Sequence, residues 1–209
     1  MSKMYTSEDS IALPYRQIRA VYNQRTIRVY QAYSNAIADT ALQYGRFVSP
    51  PFNMERMTWI KPSFLWMMYR AGWGKKEANQ KRLLAIDITR TGFEWALSCA
   101  YLAHYESSMP CSYEQWQQQT ARSNVLMQWD PERDIHLHPL SYRTIQIGLR
   151  DEALRRYVYD WIESITDITW LANTIYGYLD KGDIETALNM LPEEQEYILN
   201  EETQRRIGI

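Results

Sequence analysis

From Thr26 to Gln31 the chain alternates along a pleat, with Ile27, Val29 and Gln31 on one side and Arg28 and Tyr30 on the other. That β-branched and aromatic run predicts a strand, preceded by a shorter one at Ala20–Tyr22 and a polar turn at Asn23–Arg25. The period then lengthens. Ile37, Ala38, Ala41 and Leu42 keep helical spacing between an N-cap at Ser34 and a stop at Gly45. Met57–Ile60 reads as a short strand, and Pro62 holds Lys61 extended and fits the first turn of a helix from Ser63 to about Ala71. On that helix Ser63, Trp66 and Arg70 share one face. The largely apolar run in Arg82–Thr89 predicts a buried strand, and Thr91–Glu94 matches a capping box opening the next helix. Glu106–Ser123 is polar and reads as a surface excursion. Val125–Trp129 and Thr144–Leu149 read as strands joined by a long loop holding Asp130, Glu132, His136 and His138. From Asp151, Leu154, Val158, Trp161, Ile165 and Ile168 recur at spacings of three and four and predict one long helix. Short helices at Asp183–Met190 and Pro192–Leu199 close the chain.

These elements imply a single α+β domain over residues 1–209, with a mixed or antiparallel sheet flanked by helices. Residues 1–13 read as a loose arm and residues 181–209 as short terminal helices. No run of about 18 apolar residues could span a membrane, and the polar start lacks a signal-peptide core, so the expectation is a cytoplasmic protein with no membrane partner.

Composition changes this picture at one point. Eight Trp and 16 Tyr are many for 209 residues, and such side chains want both apolar contact and a polar partner. A net charge of −2 argues against coating duplex nucleic acid by bulk charge, and leaves room for a local basic cleft. Arg56–Trp73 carries that possibility, with Trp59, Trp66 and Trp73 interleaved with Arg56, Lys61 and Arg70. Guanidinium forks and a lysine could clamp phosphate, with Arg28 adding to them, while Trp59, Trp66 and Tyr30 could stack a ring. The same cations could instead form surface ion pairs, and the same rings could be core. Glu132 and Asp130 could serve as general base or oxocarbenium stabiliser, or pair with Arg133 or Arg143. Asp87, inside an apolar run, requires a partner. His136 and His138 have the spacing of strand neighbours, yet neither they nor Cys99 and Cys111 form a metal motif, and no metal is expected. Nucleophile-elbow, phosphate-loop and dinucleotide-binding glycine motifs are absent.

Five stretches carry a family resemblance: VYQAYSNAIADTAL (Val29–Leu42), RMTWIKPSFLWMMYRAGW (Arg56–Trp73), AIDITRTGFEWAL (Ala85–Leu97), QWDPERD (Gln128–Asp134) and RTIQIGL (Arg143–Leu149). Together they closely resemble the family known as domain of unknown function 4291, from about Ile18 to Thr169. That family is defined by sequence and implies no chemistry.

A second, weaker resemblance does. Val29–Ser34, a short helix, Gly45 and Phe47 resemble the opening of ADP-ribosyltransferase-like folds. Those folds begin with a strand carrying Tyr-His-Gly or Tyr-Arg-Gly, then a small hydroxyl residue, a helix and a glycine. Tyr30 and Ser34 match, whereas Gln31 stands where the family has His or Arg. Met57–Arg70 falls at the second, aromatic motif, with Trp59, Ser63, Trp66 and Tyr69 as its candidates, and Glu132 or Gln146 falls at the third. The resemblance implies NAD as substrate. Arg28, Tyr30, Ser34, Trp59, Lys61, Ser63, Trp66 and Arg70 would hold it, and Gln31, Glu132 and Gln146 would stand at catalytic positions. The acceptor would be a protein side chain, a nucleobase or an RNA end. Two other readings use the same residues: a non-catalytic nucleotide or single-stranded RNA module, and a scaffold whose aromatic wall takes a partner protein.

Overall fold

The computed structural model describes residues 14–107 and 109–209, so the expected arm over residues 1–13 lies outside it. Arg82–Thr89 (β4) organises the chain. Leu83, Leu84, Ile86 and Ile88 are fully buried, because β4 is a central strand covered on both faces. Each such side chain contributes roughly 1.5–3 kcal/mol. Thr26–Tyr33 (β2) pairs antiparallel along its whole length, and Ile162–Asp167 (β8) takes the other edge, giving the order β2-β4-β8.

A second sheet has the order β3-β7-β6-β5, from Thr58–Ile60 (β3), Pro139–Leu149 (β7), Val125–Arg133 (β6) and Tyr101–Leu102 (β5). It is mixed, because β5 joins β6 in parallel. The two sheets touch at one bridge, where the Tyr30 N–H donates to the Lys61 carbonyl at 2.7 Å. A two-stranded pair, Arg19–Ala20 (β1) with Gln195–Glu196 (β9), completes the strands. The domain is α+β, as expected, with the sheet split in two.

The helices are Asn35–Tyr44 (α1), Phe64–Ala71 (α2), Arg90–Ser98 (α3), Tyr113–Arg122 (α4), Asp151–Arg156 (α5), Thr169–Asp180 (α6), Ile184–Asn189 (α7) and Glu201–Ile207 (α8). The main core lies between the sheets with α1, α3 and α5, and a second cluster gathers α2, α6 and α7 around Phe64, Met68, Trp73 and Ile175.

Several expectations are corrected here. The long helix from Asp151 ends at Arg156, passes through a π-turn at Tyr157–Trp161 and becomes β8. The β-branched residues Ile162, Ile165 and Thr166 satisfy a strand as readily as a helix, and the open edge of β4 decides between them by offering backbone partners. The π-turn buries Tyr157, Val158 and Trp161 together. Thr89, not Thr91, caps α3, accepting from the Gly92 N–H at 3.2 Å. The excursion after Glu106 contains α4, opened by a capping box of Ser112 and Gln115. Pro192–Leu199 is not a helix: its middle forms β9, and the terminal helix is α8 behind the Asn200 cap. The expected loop between the last two long strands is mostly strand, and His136 and His138 sit at its tip.

Candidate functional site

A cleft of about 530 Å³ opens at the seam of the two sheets, a size typical of ligand sites. The end of β2 and the start of α1 supply Gln31, Tyr33 and Ser34, and β3 supplies Trp59 and, just beyond it, Lys61. The outer turn of α2 contributes Arg70, the loop before β3 contributes Arg56, and the β6–β7 hairpin contributes Gln128 and Gln146.

The local sequence explains this convergence. Ser63 caps α2 by accepting from the Trp66 N–H at 3.1 Å, which fixes the angle at which the helix leaves β3 and aims Arg70 at the cleft. Gln128 and Gln146 are register partners on β6 and β7. Both amides donate to Asp130, Gln128 Nε2 to Oδ1 and Gln146 Nε2 to Oδ2, each at 2.7 Å. Asp130 is thereby held in one orientation. Gln128 also meets His104 at 3.0 Å and forms part of a smaller neighbouring cleft of about 250 Å³, which holds Arg16, His104 and Arg143.

The floor differs from the rim. Arg56 and Arg70 are exposed at the rim, whereas Lys61 is only 6% exposed. Its amine reaches the Trp59 carbonyl at 3.4 Å and lies 5.2 Å from the centre of the Trp66 ring. No carboxylate forms an ion pair with it among the described residues. Burial first, and the Arg70 guanidinium second, pull this amine down to about 7, against the opposing influence of Asp130. Trp59 packs over Gly148: a Cβ there would stand 2.7 Å from the Met57 sulfur and 3.0 Å from the Trp59 ring.

Gln31 lines the cleft but has little left to offer a ligand. Its Nε2 donates toward Thr58 Oγ1 at 2.8 Å, Tyr33 Oη at 2.9 Å and the Trp59 carbonyl at 3.1 Å. Its Oε1 accepts from the buried Tyr157 hydroxyl at 2.7 Å. It is a brace between the sheets.

The family enters on the sequence of these same elements. The family described as Domain of unknown function (DUF4291) matches residues 17–197. The chain belongs to that family. The matched span of the DUF4291 domain includes every residue named in the cleft and stops before α8. A search of curated proteins finds no significant match.

The cleft therefore gathers Gln31, Ser34, Trp59, Lys61, Arg70 and Gln146 from the expected set, and it leaves out Arg28, Tyr30, Ser63, Trp66 and Glu132. Each of these five has another place. Arg28 is locked to Asp87 by a two-pronged ion pair at 2.8 and 2.9 Å, which also supplies the partner that Asp87 required. Trp66 is 5% exposed and backs Lys61 from the core side. Tyr30, Ser63 and Glu132 belong to a second group of polar side chains at the start of α2. There Ser63 donates to Glu132 Oε1 at 2.8 Å, and the Arg133 N–H donates to the same oxygen at 2.8 Å. Glu194 is half-buried as a residue, but its carboxyl turns inward to accept from the Phe64 N–H at 2.6 Å. Burial raises Glu132 above the usual carboxylate range, and burial with Glu132 nearby pushes Glu194 up to about 8. Glu132 was expected in a loop at a cleft edge. It lies in β6, where the register shifts between Pro131 and Arg133, and it is itself buried there while both neighbours stay partly exposed.

Sequence reasoning passed over Gln128 and Tyr33. The alternation of Gln128 with Asp130 along a strand was a usable signal, whereas Asn79 and Gln80, which reach the cleft from the short helical turn before β4, leave no mark in the sequence.

Proposed function

We propose that the cleft binds a nucleotide-type ligand, and that with NAD as that ligand the chain acts as a transferase of the ADP-ribosyltransferase type. The observation that carries this reading is the convergence of two exposed guanidinium groups, Arg56 and Arg70, with the Trp59 ring in one concavity. Planar forks bind phosphate oxygens in pairs, and an indole stacks a flat heterocycle. Ser34 adds a hydroxyl at the N-terminus of α1 that is not used as a side-chain cap.

Transfer from a ribosyl carbon needs an anchored diphosphate, a held ribose and negative charge beside the carbon as the leaving group departs. Asp130, bonded to the lining amides Gln128 and Gln146 though not itself part of the cleft lining, is the carboxylate assigned to the last task. Gln128 and Gln146 keep it oriented, so Gln146 acts here as a positioning residue. Glu132 and Gln31 have no catalytic part in this reading, since both are committed within the fold.

A second reading, a non-catalytic nucleotide or single-stranded RNA module, draws on the same saturation of Gln31 and on the two amides already bound to Asp130. Calorimetric titration with NAD, followed by an assay for free nicotinamide, separates the two. Binding with nicotinamide release that Asp130→Asn abolishes supports the transferase. Binding without release supports the module, and no heat with NAD, other nucleotides or oligoribonucleotides removes both.

A further inference from the structure

Lys61 is placed unlike the other cations of the cleft. Arg56 and Arg70 stand at the exposed rim, where a phosphate remains partly hydrated, while Lys61 lies at the floor with 6% of its surface exposed. Its amine has one long carbonyl contact, an aromatic neighbour and no paired carboxylate among the described residues. A structural lysine at such a depth would normally have a carboxylate partner, because burying a lone ammonium is costly.

We propose that Lys61 is a nucleophilic amine that captures a phosphate-bearing aldehyde as an imine, with Arg56 and Arg70 holding the phosphate. The nitrogen lone pair adds to the carbonyl carbon, and a proton passes from nitrogen to oxygen to give a carbinolamine. Water then leaves, and the carbon–nitrogen double bond remains. No oxidant or reductant is consumed. The desolvated floor and the Arg70 charge leave a substantial fraction of this amine neutral near pH 7, which is the form that attacks. The Trp66 ring behind it keeps the amine from retreating into the core. The inference shares its cleft with the nucleotide reading but does not require NAD.

The probe is pyridoxal 5′-phosphate, an aromatic aldehyde with one phosphate, followed by borohydride reduction and peptide mapping of the wild-type chain. The expected result is a pyridoxyl group on Lys61 ahead of the exposed lysines Lys75, Lys76, Lys81 and Lys181. 5′-Deoxypyridoxal, an aldehyde on the same ring with neither the phosphate nor a hydroxyl that can close on the aldehyde, is expected to label Lys61 about tenfold more slowly. The double substitution Arg56→Ala/Arg70→Ala is expected to erase that difference. Lys61→Met, checked for cooperative thermal unfolding, is expected to leave only slow surface labelling. Labelling spread over the surface lysines with Lys61 untouched overturns the proposal, as does equal labelling of Lys61 by both aldehydes. The two readings fail separately. NAD binding without labelling of Lys61 removes the imine alone, and labelling in a chain that ignores NAD, other nucleotides and oligoribonucleotides removes the nucleotide alone.

Discussion

Tyr30 and Gln31 are consecutive residues of one strand, yet they belong to two polar regions built on opposite principles. Gln31 faces the cleft, where cations gather and the lining amides Gln128 and Gln146 hold the Asp130 carboxylate. Tyr30 turns to the core beside Phe64, where Glu132 and Glu194 sit at the start of α2 and neither carboxyl has an ion pair among the described residues. Both regions bury an ionisable group at a cost, and the two costs have opposite dependence on pH. The region with spare positive charge is open to solvent, and the region that holds the two carboxyls is closed. Function is to be sought in the first and structural specification in the second.

The largest effect expected from breaking this contrast comes from Lys61. A folded amine at about 7, against 10.5 in the unfolded chain, corresponds to a penalty of about 5 kcal/mol on the protonated fold. The penalty is full below pH 7 and disappears as pH rises through 10.5, so wild-type stability climbs across that window. Lys61→Met is expected to be more stable at pH 6 and to flatten the climb, which urea unfolding at pH 6 and pH 10 reads directly.

Glu194 works in the other direction. Its folded pKa of about 8 lies above the unfolded value of 4.5, so its contribution is full below pH 4.5 and is lost as pH rises through 8. Glu194→Gln keeps the acceptor for the Phe64 N–H and is expected to gain a few kcal/mol at pH 8 and nothing at pH 4. Unfolding of both chains at the two pH values checks it. An equal gain at both would mean that packing, and not ionisation, sets the effect.

How much of this contrast was legible beforehand is clear from single residues. The helix behind Ser63, the strand around Ile86 and the aromatic–cationic segment from Arg56 to Trp73 are encoded locally, by caps, largely apolar runs and composition, and they were readable. The partition of that segment between cleft and core was not. Trp59 and Trp66 look alike in sequence, and only the pairing of β3 with β7, which sets Trp59 opposite Gly148, decides which ring meets the open space. Likewise Ile162 and Ile165 fit helix or strand, until the bare edge of β4, more than seventy residues earlier in the chain, selects the strand. Glu194 could not be connected to Glu132 at all without the fold.

Two smaller tests sharpen the boundary between the regions. Arg28→Ala leaves Asp87 with only the Ser164 hydroxyl, and about 1.5–3 kcal/mol of stability is expected to be lost while ligand binding at the cleft is unchanged. Altered binding in this variant would tie the ion pair to the cleft. Arg70→Ala is expected to do the reverse, weakening a phosphate-bearing ligand about tenfold, or about 1.4 kcal/mol, with stability moved by less than about 0.5 kcal/mol. Calorimetry and thermal unfolding on the same preparation separate the two outcomes.

Gly148 imposes a limit of a different kind. The Trp59 ring rests against bare backbone there, and even one methyl group would force the ring or the Met57 sulfur to move. Where the indole lies in the cleft wall is thus set by a side chain that is not there. A residue outside the cleft, on the neighbouring strand, thereby shapes the surface a ligand would meet.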